Sequence, residues 1–207
     1  MIGTGPAATN ITYPQLLRDV FYGLYVVHPG WSDLAKDLQE LWLARGQRVQ
    51  FTPAAPASPT RYAGPEQTIS IICAETPSPG PLQFPHLARQ ELRHNGPIGL
   101  VPLWGDEPCS TWPVHSAASY FGPWNTRTAA PILVIGNTTD PATPLKNSVE
   151  MAAELARARL LVVRGYGHGA FGTSRCADNA EVGYFVHGVL PSPGTACAQD
   201  SRPFQGK

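Results

Sequence analysis

The stretch Pro131-Ile-Leu-Val-Ile-Gly136 decides the predicted fold. An uninterrupted apolar run between turn residues is typical of a strand that is covered on both faces in a parallel sheet. A second run, Leu160-Leu-Val-Val163, predicts a second buried strand. A helix is predicted between them, over 144–157, and a closing helix over 176–189. This order of elements predicts an α/β fold in which the two strands are parallel and adjacent.

The chain before the first strand is predicted to be mostly helical. One-sided apolar spacing predicts helices over residues 13–27 and 31–44, and a third helix is expected over 85–100. The third is broken near Gly96-Pro97, because proline lacks the N–H that a helix interior needs. Four prolines in 51–65 predict a loop or linker. At residue 128 the sequence pattern changes to one of continuous apolar runs. We therefore predict a helical region, 1–127, followed by an α/β segment, 128–207.

Composition excludes several classes of protein. The 207 residues are 43% hydrophobic, which is enough for a packed core. Fifteen basic and fifteen acidic side chains give zero net charge, so neither nucleic acid nor an anionic membrane is an expected partner. No apolar run approaches the roughly 18 residues that a membrane-spanning helix needs. Met1–Asn10 lacks the basic start of a signal peptide, so none is expected within this chain.

The cysteines and histidines form no recognisable metal site. Four cysteines without a C-x-x-C motif permit three pairings, and both two disulfides and four free thiols stay open: Cys73, Cys109, Cys176 and Cys197. The six histidines lack metal-ligand spacing. Gly3-Thr-Gly5 and Gly165-Tyr-Gly167 begin strings similar to a dinucleotide fingerprint, but neither lies between a strand and an immediately following helix. We therefore expect no metal and no cofactor.

An acidic residue and a histidine follow the two predicted strands. Asp140 lies four residues beyond the first apolar run, and His168 lies five residues beyond the second. Because parallel neighbours end at the same edge of a sheet, the two side chains are expected to meet there. Such a pair serves as acid and base of a nucleophilic triad. The alternative is structural: Asp140 as a turn former before Pro141, and His168 as a loop residue.

Several segments together resemble one family of enzymes. Pro131-Ile-Leu-Val-Ile-Gly-Asn-Thr-Thr-Asp140-Pro-Ala-Thr-Pro144 is similar to the acidic triad segment of tripeptidyl-aminopeptidase-like α/β-hydrolases, which are related to proline iminopeptidases. Leu160-Leu-Val-Val-Arg-Gly-Tyr-Gly-His168-Gly resembles their histidine segment. The tail from Cys176 through Gly194-Thr-Ala-Cys197 to Phe204 resembles their C-terminal signature.

The resemblance implies a fold, a role for each site residue and a cysteine pairing. Asp140 is then the triad acid, His168 the general base, and 1–127 part of a helical lid. The implied disulfides are Cys73–Cys109 and Cys176–Cys197. Members of this family are typically secreted serine hydrolases that remove short peptides from free N-termini. The resemblance thus implies a peptide or small ester substrate and an extracellular location for the complete protein.

One departure from the family concerns the nucleophile. No G-x-S-x-G motif occurs in these 207 residues. The chain is therefore interpreted as the C-terminal portion of a serine hydrolase, inactive by itself. Three explanations stay open: a fragment or truncated product of a longer enzyme, an inactive remnant that acts as a binding module, or a partner of a separately encoded N-terminal half. An esterase-type fragment is the alternative activity.

Overall fold

A computed structural model describes residues 11–43 and 65–205. The linker predicted over 51–65 lies outside these residues, except for Pro65 at the start of a helix. Within the described ranges, no helix is both long and apolar enough to cross a membrane.

The described residues contain seven α-helices and three β-strands. The helices are α1 (Tyr13–Gly23), α2 (Ser32–Leu43), α3 (Pro65–Glu75), α4 (Phe84–His94), α5 (Leu100–Asp106), α6 (Leu145–Glu154) and α7 (Arg175–His187). The strands are β1 (Ile132–Thr139), β2 (Ala158–Tyr166) and β3 (Ala196–Ala198). Short 3₁₀ turns occupy Pro81–Gln83, Pro97–Gly99 and Glu107–Thr111.

Contacts divide the chain into two compact units. The helical unit contains the described parts of 1–21 and 37–120. The sheet unit contains 22–36 together with the described part of 121–207. The division at residue 128 rests on sequence character and stays a prediction.

A buried disulfide links two segments of the helical unit. It joins Cys73 of α3 to Cys109, and both residues are buried. Phe84, at the start of α4, is also buried and stacks on Trp104 with ring centroids 6.0 Å apart. The predicted helix over 85–100 is indeed interrupted after His94, and the chain resumes as α5.

The sheet unit is built on three parallel strands in the order β1-β2-β3. Ile135 pairs with Leu161, and Val163 pairs with both Asn137 and Cys197, so β2 is the central strand. Leu161 and Val163 are fully buried and form the core together with Ala170, Ala177 and Cys197. The α/β class and the adjacent parallel strands predicted from the sequence are confirmed.

The third strand was not predicted. Ala196–Ala198 is only three residues long and carries no apolar run that would mark it as a strand. The Cys176–Cys197 disulfide links this strand to the first turn of α7. The two cysteines are paired as the resemblance implies. Beyond it, Gln199 closes the end of β2: its side-chain amide accepts a hydrogen bond from Tyr166 N–H (3.0 Å) and donates one to Tyr166 C=O (3.3 Å).

The strands are longer, and several helices shorter, than predicted. β1 reaches Thr139 instead of ending at residue 136, and β2 covers 158–166 instead of 160–163. Backbone pairing continues beyond the apolar runs because polar residues such as Asn137 take part in the same ladder. In contrast, α6 ends at Glu154, where Leu155 takes an extended backbone conformation, and α1 ends at Gly23.

Gly136 lets α6 lie directly on β1. A Cβ at this position would come 2.7 Å from Ser148 Oγ and 2.8 Å from Leu145 Cδ1, which is closer than real Cβ contacts. Gly136→Ala should therefore destabilise the protein by about 1–3 kcal/mol, as expected for overpacking. Urea unfolding followed by circular dichroism measures this loss.

Gly183→Ala is the matched control in the same unit. Gly183 lies within α7, and its added Cβ would meet only Val189 O, at 4.0 Å. Alanine has the higher helix propensity, so this variant should gain about 0.5–1 kcal/mol. Equal effects of the two substitutions would contradict the close packing of α6 on β1.

The disulfides can be checked chemically. Peptide mapping without reduction should recover Cys73 linked to Cys109 and Cys176 linked to Cys197. Removing the second bond in a Cys176→Ala, Cys197→Ala double variant should cost about 2–4 kcal/mol of unfolding free energy. A Cys73–Cys176 peptide, or unchanged stability of the double variant, would contradict this arrangement.

Candidate active site

Asp140 and His168 meet at the carboxyl edge of the sheet. Asp140 directly follows β1, and His168 follows β2 after a single intervening glycine, Gly167. The register places Thr139 opposite Tyr166, so the two chain ends leave the sheet side by side. His168 Nδ1 lies 3.1 Å from both Asp140 Oδ1 and Oδ2. Both residues are closer to the strand ends than the four and five residues predicted from the apolar runs.

The Asp140 carboxylate is fixed by its own turn. Oδ1 accepts hydrogen bonds from the backbone N–H groups of Ala142 and Thr143, each at 2.8 Å. Oδ2 accepts a further bond from the Thr143 hydroxyl at 3.1 Å. Only 4% of the Asp140 side chain is exposed. Asp140 therefore both forms the turn, as the structural alternative predicted, and contacts His168.

These hydrogen bonds determine the charge of Asp140. Burial raises the pKa of the carboxyl group, but the bonds from Thr143 N–H, Ala142 N–H, the His168 ring and the Thr143 hydroxyl lower it by more. The net pKa lies below its ordinary value of 3.8. Asp140 is consequently a carboxylate at neutral pH.

The carboxylate in turn fixes the tautomer of His168. A carboxylate only accepts hydrogen bonds, so Nδ1 of the neutral imidazole carries the proton and donates it to Asp140. The lone pair then lies on Nε2. The His168 side chain is 40% exposed, so this nitrogen is available to take a proton from a reacting group.

A buried amide holds the loop that carries His168. Asn137 is 3% exposed, and its side-chain N–H₂ donates to Gly167 C=O (3.2 Å) and to Gly169 C=O (2.6 Å). The carbonyls on both sides of His168 are thereby tied to β1. Thr138 adds a second tie, since its hydroxyl accepts a hydrogen bond from Gly165 N–H at 3.1 Å.

Asn137 and Thr143 were not predicted as site residues. The first predicted strand ended at Gly136, and neither Asn137 nor Thr143 was given a role in the site. The one available signal for Asn137 is its position, a polar residue directly after a buried strand at the functional edge of the sheet. Thr143 could not be found in this way, because its contact with Asp140 depends on the shape of the turn.

A cavity opens beside the histidine within the sheet unit. Its volume is about 490 Å³. Besides His168, aromatic and polar residues line it, among them Tyr25, His28, Tyr166, Gln199 and Asp200. A cavity of this size with an exposed imidazole and other polar groups in its wall is typical of a ligand-binding site.

Comparison with known proteins agrees with this geometry. Residues 98–197 match an α/β-hydrolase family model described as "TAP-like protein". We refer to residues 98–197, the part similar to this family, as the TAP-like segment. It contains both Asp140 and His168. Strands β1 and β2 and the two side chains at their carboxyl ends therefore lie within the matched part of the chain.

Three relatives extend the comparison beyond the TAP-like segment. The chain is 32% identical over 134 residues to carboxylesterase B of Mycobacterium tuberculosis, a match that covers 62% of this chain and 25% of the relative. It is 30% identical over 105 residues to a tripeptidyl aminopeptidase of Streptomyces lividans, covering 48% and 19%. It is 33% identical over 114 residues to serine protease Hip1 of Mycobacterium tuberculosis, covering 55% and 20%. The chain thus matches a quarter or less of each relative.

Replacing the carboxylate tests its place in the structure. Asp140→Asn keeps one oxygen for the turn but points an N–H₂ group at His168 Nδ1, so a donor faces a donor. We expect a loss of about 1–3 kcal/mol of unfolding free energy at neutral pH. Unfolding free energies of both proteins, measured by urea between about pH 7 and pH 2, check this.

The pH dependence follows from the direction of the pKa shift. Because the pKa of Asp140 is lowered in the folded state, the stability that its charge contributes is complete above 3.8. This stability is lost as the pH falls through the lower pKa that Asp140 has in the folded state. The difference in unfolding free energy between wild type and Asp140→Asn therefore narrows below that pH. Asp33→Asn, which removes an exposed carboxylate, controls for loss of one charge. A gap that stays constant down to the lowest pH would contradict the assignment.

Proposed function

We propose that Asp140 and His168 are the acid and base of a serine-hydrolase triad whose nucleophile lies outside these 207 residues. The observation that carries the proposal is the contact of His168 Nδ1 with both carboxylate oxygens of Asp140, at 3.1 Å. The TAP-like segment and the named hydrolase relatives support it. In α/β-hydrolases the acidic residue precedes the histidine in the chain, as it does here.

Each half of the reaction uses the same proton path. A serine hydroxyl gives its proton to His168 Nε2 while its oxygen bonds to the substrate carbonyl carbon, and the carbonyl electron pair moves to oxygen. Asp140 stabilises the imidazolium that forms. When the intermediate collapses, Nε2 returns the proton to the departing amine or alkoxide. Water then repeats the sequence and releases the acid and the free serine.

The substrate class is proposed from the relatives. We propose hydrolysis of short peptides from free N-termini, because the chain is similar to relatives named as a tripeptidyl aminopeptidase and a serine protease. Ester hydrolysis is the second candidate, favoured by the match of 134 residues to a carboxylesterase. Both reactions are acyl transfers and require the same residues of this chain.

An extracellular location belongs to the same proposal. Two disulfides are typical of proteins that fold in an oxidising environment. The similarity to a tripeptidyl aminopeptidase and to Hip1 is consistent with such a location.

A chimera tests the catalytic role of the pair. Residues 98–197 replace the matching segment of a relative that itself reacts with a fluorophosphonate serine probe. The chimera should turn over an ester or an N-terminal peptide, and His168→Ala should lower kcat by about 10³-fold or more, because the base is lost. His187→Ala, at the exposed end of α7, is the matched control and should keep full turnover.

The outcomes separate the alternatives. A folded chimera that stays inactive, or one that remains fully active as His168→Ala, would exclude the triad role and favour a binding module. The 207-residue chain alone should not react with the probe. Stoichiometric labelling of it would reveal a nucleophilic serine within these residues. Comparing peptide and ester substrates decides between the two activities.

A further inference from the structure

A segment from the helical part of the sequence reaches the histidine loop. Residues 24–31 connect α1 to α2 and belong to the sheet unit. Within this segment, the Tyr25 carbonyl oxygen accepts a hydrogen bond from His168 N–H at 2.7 Å. The backbone N–H of His168 is therefore bonded to this segment, whereas Asn137 of β1 binds the carbonyls of Gly167 and Gly169.

The Tyr25 side chain contacts the imidazole itself. The centroids of the two rings are 4.9 Å apart, and their planes are inclined at 61°, an edge-to-face arrangement. Such pairs are attractive because the positive edge of one ring meets the negative face of the other. Burial, the neighbouring Tyr22 and the Asp140 carboxylate raise the pKa of Tyr25, so the phenol stays neutral and adds no charge beside the ring.

The Tyr25 segment is itself held against the end of β2. Trp31 Nε1 donates to Leu24 C=O at 2.9 Å, which closes the segment into a loop. The Trp31 ring contacts Tyr166 and Phe204, with centroid distances of 5.6 and 6.1 Å. Gly167 permits the close approach, since a Cβ there would lie 2.7 Å from Tyr25 O.

Hydrogen bonds alone do not fix the plane of the His168 ring, so a packing contact such as that with Tyr25 is required. Among the described residues, its ring is bonded only through Nδ1, to Asp140 and, at 3.4 Å, to the Thr143 hydroxyl. The torsion between Cβ and an imidazole ring has broad minima, so one bonded edge does not fix the plane of the ring. A ring packed against its face or edge restricts that torsion.

We propose that Tyr25 is a positioning residue, whose aromatic ring holds the His168 imidazole in the orientation that keeps Nδ1–H on Asp140. Its carbonyl fixes the backbone of the loop, and its ring fixes the side chain. The catalytic meaning of this orientation rests on the proposed function, whereas the orientation itself is a property of the 207-residue chain.

Nuclear magnetic resonance of the whole chain with ¹⁵N-labelled histidine tests the role of Tyr25. Wild type should show Overhauser contacts between the Tyr25 and His168 ring protons. Under conditions where the imidazole is neutral, the ratio of Nδ1–H to Nε2–H tautomer should fall about two- to tenfold in Tyr25→Leu, the size expected for the loss of one edge-to-face contact. Tyr25→Phe keeps the ring and should retain the wild-type ratio.

Tyr13→Leu is the matched control, because Tyr13 is an exposed tyrosine of α1. It should leave the tautomer ratio unchanged. A merely structural role of Tyr25 would lower the unfolding temperature of Tyr25→Leu without moving the ratio, and this result would overturn the proposal. Absence of the ring contacts in wild type, or loss of the ratio in Tyr25→Phe, would overturn it even if Tyr25→Leu did not fold. None of these measurements depends on catalytic turnover. A result that contradicts the role of Tyr25 therefore does not contradict the triad proposal, which is tested by the activity of the chimera.

Discussion

The parallel pairing of β1 with β2 is the constraint on which the site depends. Parallel strands end at the same edge, and the register that brings Thr139 opposite Tyr166 leaves the two loops side by side. The fully buried core residues Leu161 and Val163 keep that register, because a shift by one residue would turn their side chains out of the core. The hydrogen bond between Asp140 and His168 thus depends on apolar packing within the sheet.

The loop that carries His168 is ordered by contacts from several elements. Asn137 binds the carbonyls on both sides of the histidine, Asp140 binds its ring, and Tyr25 binds its N–H and packs on its ring. Each contact is modest in free energy, and each opposes the loss of conformational entropy that ordering a glycine-rich loop requires. The loop is ordered although the histidine side chain stays partly exposed.

Sequence predicted the parts of this structure that depend on pattern. Two apolar runs and the helix between them are sufficient for the parallel sheet, and the sheet topology is sufficient for the meeting of Asp140 and His168. The remaining features depend on tertiary geometry. Asn137, Thr143 and Tyr25 act through the shape of a turn or through contacts between distant segments, which no periodicity encodes. The third strand escaped prediction for a related reason, because three residues are too few to produce an apolar pattern.

The Cys176–Cys197 bond has a consequence for the histidine, although it lies elsewhere in the sheet. β3 has little backbone pairing of its own, so the covalent bond keeps Cys197 in place on β2. Two residues later, Gln199 binds both backbone groups of Tyr166, where the chain leaves the sheet toward His168. The redox state of this cysteine pair is therefore coupled, through Gln199, to the end of β2 that precedes His168. In a reducing environment this attachment loses its covalent support.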